Sequence, residues 1–155
     1  MIDSNDSPTL SKEQIDSVIA LFSNNKFQEA LDVSVDLLED FPKDSLLQNI
    51  IGACYAGLGD LASAVKSYKN AIAIKSDYAK AHYNLGVTLH DLGQLDQSIK
   101  SYQTSLSIDP GYAEAHNNLG NAFKDMDQFE EAIDSYKNAI INKPDYFEAY
   151  YSLAI

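Results

Sequence analysis

The chain has 155 residues, 45% of them hydrophobic, enough for one elongated domain of ordinary composition. Its net charge of −12, with eleven lysines and no arginine, repels nucleic acid and anionic membranes and leaves no guanidinium fork for phosphate or carboxylate. One cysteine, Cys54, rules out an internal disulfide, and no run approaches the ~18 apolar residues of a membrane span.

The opening MIDSNDSPTL has neither the basic start nor the apolar core of a secretion signal, so a cytoplasmic protein is expected. Residues 1–10 are polar, carry Pro8 and are expected to be disordered. In residues 11–44, Ile15, Val18, Ile19, Leu21 and Phe22 recur at helical spacing. Asn24 and Asn25 mark a turn, a second stripe runs from Phe27 through Ala30, Leu31 and Leu38, and Pro42 closes it.

Residues 45–78 repeat the plan with Ile51, Gly52 and Tyr55, a turn at Gly59, then Ala64, Tyr68 and Ala71. In residues 79–112, Ala79, Ala81, Leu85, Gly86, Leu89 and Leu92 form one stripe and Gly93 breaks it. Leu95, Ile99, Tyr102, Leu106 and Ile108 form the next stripe, ended by Pro110 and Gly111. Residues 113–146 follow with Leu119, Gly120, Phe123, Asp127, Ala132, Tyr136, Ala139 and Pro144. Residues 147–155 begin a further first helix, with Tyr150, Leu153 and Ala154 in register. The chain is therefore expected to be cut from a longer array, with dimerisation through, or fraying of, this C-terminal end.

Gly52, Gly86 and Gly120 stand 34 residues apart, as do Tyr68, Tyr102 and Tyr136. Such a period predicts stacked helix hairpins, none of which can cover its apolar stripe alone. The turn positions are Asn25, Gly59, Gly93 and Asp127, residue types that tolerate left-handed backbone. Asp77, Gly111 and Asp145 are the expected N-caps, with Glu114 and Glu148 at capping-box spacing from the last two.

These residues carry a resemblance to a known family. The unit resembles the tetratricopeptide repeat (TPR): a large residue, Leu-Gly, a turn residue, a small residue, an aromatic, Ala and a closing Pro. His82, Leu85, Gly86, Leu89, Gly93, Ser98, Tyr102, Ser105 and Pro110 fill the slots in the middle unit, and Ser76 departs from the closing Pro in the unit before. Residues 45–155 match well and 11–44 weakly, because Ser17 and Val18 replace Leu-Gly and Ser34 replaces the aromatic. The worn unit is expected to be the N-terminal cap. The run A-x-A-x-x-N-L-G is also similar to the repeat region of O-GlcNAc-transferase-like proteins. The resemblance implies an all-α, right-handed superhelical solenoid of antiparallel helix hairpins, whose first helices line a concave groove that holds an extended peptide.

No residue pattern points to catalysis, a cofactor or a metal. Gly57–Ala62 mimics a dinucleotide loop but lacks the preceding strand, and Gly59 is the repeat turn. His82 and His116 share one packing slot without a ligand at i+4, and His90 is expected to be solvated. Cys54 is expected to be a buried core thiol.

The groove residues implied by the resemblance are Asn49, Tyr83, Asn84, Val87, His90, Asn117, Asn118, Asn121 and Lys124. An asparagine amide both donates and accepts, so it can pair with a peptide backbone, or it can bond to the neighbouring helix. The family's carboxylate clamp would fall on Asn49, Ala53, Asn84, Glu114 and Asn118, where only Asn84 matches, so a clamp is disfavoured. The expected function is a non-catalytic protein-interaction module. Two alternatives remain: the substrate-selecting front end of an enzyme such as a glycosyltransferase with catalysis beyond Ile155, or an assembly scaffold. The partner is expected to be protein or peptide, and an acidic surface suits a basic one.

Overall fold

The 34-residue period becomes helix pairs. The computed structural model describes residues 9–154, and all regular structure among them is helical. In chain order the helices are α1 (Lys12–Ser23), α2 (Phe27–Asp40), α3 (Ser45–Gly57), α4 (Leu61–Ile74), α5 (Ala79–Asp91), α6 (Leu95–Ile108), α7 (Ala113–Asp125), α8 (Phe129–Asn142) and α9 (Phe147–Leu153). Residues 1–8, where disorder was expected, and Ile155 lie outside the described residues.

Each hairpin turns on the residue that the period singles out. Asn25, Gly59, Gly93 and Asp127 have φ of 59°, 83°, 71° and 57°. Two backbone bonds recur around each. At Gly93 they run from its own N–H to the His90 carbonyl (2.8 Å) and from the Gln94 N–H to the Leu89 carbonyl (2.9 Å). This pair is the Schellman closure, which occupies carbonyls that the ending helix leaves bare.

The chain divides into two compact units, one up to Lys75 and one from Ser76. In the first, α2 packs between α1 and α3, and α4 packs on α3. Its core holds Ala30, Leu31, Ile51 and the fully buried Cys54, flanked by Leu21, Phe22 and Tyr55. Burial pushes the Cys54 thiol up to about 11, as an inert core thiol requires. In the second unit, α6 packs between α5 and α7, and α8 packs between α7 and α9. Helix α7 also touches α5 and α9, so the first helices of this unit form one layer.

Close approach within each pair depends on the repeated glycine. A Cβ on Gly86 would lie 2.7 Å from ring carbons of Tyr102, and one on Gly120 would lie 2.5 Å from Tyr136. Both tyrosines are almost wholly buried. The innermost line of α6 is polar as well as aromatic. Ser98 donates to the Gly86 carbonyl (2.7 Å) and Ser105 to the Ala79 carbonyl (2.8 Å), tying α6 to α5. The apolar stripe expected on α6 flanks this line, with Leu95, Ile99, Leu106 and Ile108 half-buried.

The helix starts correct one expectation. Helices α5, α7 and α9 begin one residue later than Asp77, Gly111 and Asp145 predict, with Tyr78, Tyr112 and Tyr146 at the N-cap and no side-chain cap bond. Tyr112 instead places its ring 4.7 Å from that of Tyr83. No capping box forms at Glu114, which pairs with Lys143 at 3.0 Å. A capping box does form at Ser11 and Gln14, which open α1.

Candidate binding cleft

The layer of first helices in the second unit carries the site. One helix turn of α7 places Asn117, Asn118 and Asn121 on the side that faces α9. These three, with Phe147, Glu148, Tyr151 and Ser152 of α9, line an open cleft of about 490 Å³. A second cleft of about 160 Å³ is lined by Val87, His90 and Asp91 of α5, Tyr102 of α6, and again Asn118 and Asn121. The two adjoin through those shared asparagines, so one track crosses from α5 over α7 to α9.

A tyrosine scaffold holds the asparagines. The Asn118 Nδ2 donates to the Tyr83 hydroxyl at 3.1 Å, and the Tyr136 hydroxyl donates to Asn121 Oδ1 at 2.8 Å. The Tyr83 ring lies 6.0 Å from Tyr102 and beneath the Lys80 ammonium at 4.9 Å. Burial first, and the Glu114 charge second, raise the Tyr83 phenol above its ordinary value; burial likewise raises Tyr102 and Tyr112. All three stay neutral and can donate. Asn117 is 4% exposed, and its Nδ2 reaches Asn118 Oδ1 at 3.5 Å. Its own Oδ1 is buried with no hydrogen-bond partner among the described residues.

His90 is half-buried, and its Nε2 lies 2.9 Å from Asp125 Oδ2, bridging α5 and α7. The expectation of a merely solvated side chain is corrected, because α7 lies beside α5 and brings a carboxylate to it from one repeat away. His82 and His116 reach back six residues to the carbonyls of Ser76 and Pro110, at 3.0 and 2.9 Å. Each donates from Nε2 and pins the loop that precedes its helix.

Among the predicted groove residues, Val87, His90, Asn117, Asn118 and Asn121 line the two clefts. Tyr83 stands behind them as a support. Asn84 and Lys124 are half-buried on α5 and α7 and line neither cleft. Asn49 is 7% exposed in α3, in the other unit. Sequence reasoning missed Tyr102, Phe147, Glu148, Tyr151 and Ser152. The repeat carried a signal for two of these, since Tyr151 and Ser152 occupy the slots of Asn117 and Asn118 one period on. Among the described residues no group of three or more His, Cys, Asp or Glu side chains could hold a metal ion, and no helix is long and apolar enough to cross a membrane.

A family model described as TPR repeat matches residues 52–93 and 88–127, and one described as Tetratricopeptide repeat matches 113–146. A peroxisomal targeting signal receptor of Kluyveromyces lactis is 31% identical over 67 residues, 43% of this chain. One of Candida albicans is 31% identical over 70 residues, 45% of this chain. The chain spans 12% of the length of each of these relatives. Among solved structures, MamA superposes with a TM-score of 0.80 at 22% identity, covering 94% of this chain and 82% of MamA. YrrB, described as a TPR protein with an unusual peptide-binding site, superposes with a TM-score of 0.80 at 20% identity, covering 92% of this chain and 73% of YrrB. These superpositions show the TPR solenoid fold. With family models matched from residue 52 to residue 146, well over half of its length, the chain belongs to the tetratricopeptide repeat family.

Proposed function

We propose that the chain is a non-catalytic protein–protein interaction module that holds an extended segment of a partner protein along the track from α5 to α9. The observation that carries this is the pair of adjoining clefts that share Asn118 and Asn121. Their amides sit at half-buried positions, where a backbone bond is worth more than in open water. The YrrB description and the receptor name of the fungal relatives support a peptide-like ligand. The net charge of −12 favours a basic partner. Self-association through α9, where Tyr150 is 46% exposed, is a lesser use of the same end.

The test is selection of a phage-displayed library of random decapeptides on the immobilised chain. Selected peptides should bind Asn118→Ala/Asn121→Ala about tenfold more weakly, since each lost amide bond costs about 0.5–1.5 kcal/mol. The variant should stay folded but melt at a lower temperature, since the Tyr136 hydroxyl loses its acceptor. No selected sequence, or equal binding to the folded variant, would remove the proposal.

A further inference from the structure

We propose that the larger cleft seats one lysine or arginine side chain of the bound segment, between Phe147 and Tyr151 and against Glu148 and Asn117. The seat rests on the peptide-binding reading above. Phe147 and Tyr151 stand one helical turn apart on α9 and are 80% and 85% exposed, so two aromatic rings are presented to the cleft instead of to the core. Aromatic faces attract cations, and the carboxylate of Glu148 lines the same space. Glu148 also hydrogen-bonds to the Tyr146 side chain, but a carboxylate has about four lone-pair sites and keeps room for an ammonium.

Asn117 adds an independent sign. It lines the cleft at 4% exposure, and its Oδ1 has no partner among the described residues. Buried polar atoms are rarely left so, and an oxygen can be satisfied only by a donor. Two ring faces, a carboxylate and an amide oxygen all favour a cationic donor. An acidic side chain would meet Glu148 here and Asp91 in the adjoining cleft.

The protein already makes this contact within itself. The Lys143 ammonium lies 3.0 Å from Glu114 and 5.0 Å from the centre of the Tyr146 ring, and Lys80 lies 4.9 Å over Tyr83. Glu148 occupies the slot of Glu114 one period on, and Tyr151 the slot of Tyr83 two periods on. The seat repeats from two helices of this chain what an outside side chain would complete.

The test uses the decapeptides selected on the full chain. They should share a lysine or arginine, and its replacement by glutamine should weaken binding to wild type about tenfold, read by fluorescence anisotropy. The same replacement should cost less than twofold on Glu148→Gln, and Tyr151→Ala should weaken the parent peptide severalfold. Both side chains are exposed, so melting curves of the variants should overlay the wild type. Selected peptides without a basic residue, or an equal loss on wild type and Glu148→Gln, would overturn the seat while leaving the asparagine track in place. Failure to select any peptide would overturn both.

Discussion

At the scale of single residues, the Glu114–Lys143 pair reports on the fold through its titration. The hydrogen bond from Lys143 holds the Glu114 carboxyl below its ordinary value, and Glu114 raises Lys143. The signs are opposite and fix a window. Glu114 contributes fully above the ordinary carboxylate range, and its part is lost as pH falls through the lowered value. Lys143 contributes fully below the ordinary lysine range, and its part is lost as pH rises through the raised value. Both groups are solvent-accessible, so the pair matters more as a probe than as a source of stability. Carbon NMR of the Glu114 carboxyl should give a midpoint that moves up in Lys143→Gln; an unchanged midpoint would mean that the contact is absent in solution. Such contacts were not legible in the sequence, because Lys143 is 29 residues away and Glu114 suggested a local cap instead. The same holds for His90 and Asp125, which meet only once α5 and α7 stack.

At the scale of elements, the glycine beneath each buried tyrosine sets how closely a hairpin closes. Gly86→Ala would gain about 1 kcal/mol of helix propensity but would press a methyl into Tyr102, at about 1–3 kcal/mol of overpacking. Tyr102 is fully buried and cannot swing aside, so the urea midpoint should fall; an equal or higher midpoint would show that the pair has slack. The N-terminal hairpin solves the same problem with the sizes exchanged. Val18 stands in the glycine slot and Ser34 in the tyrosine slot, and both are fully buried. The apparent wear of that repeat is therefore compensated packing. Turn residues were legible because a positive φ demands a few residue types whatever the surroundings. Helix starts were not, because the ring contact of Tyr112 with Tyr83 joins residues far apart in the sequence.

At the scale of the molecule, the period declared the helices and their order. Five of the nine groove residues implied by the family resemblance line the clefts. The division near Lys75 was not legible, since Ser76 replaces the closing proline without any other break in the pattern. Of the α9 residues, Tyr151 and Ser152 were legible only by their slots, since the asparagines of the unit before are replaced there. The most direct measurement of the central proposal is an NMR footprint of a selected decapeptide on the labelled chain. Shift changes should concentrate on α5, α7 and α9 and include the side-chain amides of Asn118 and Asn121. A footprint centred on the outward faces of α6 and α8 would contradict it.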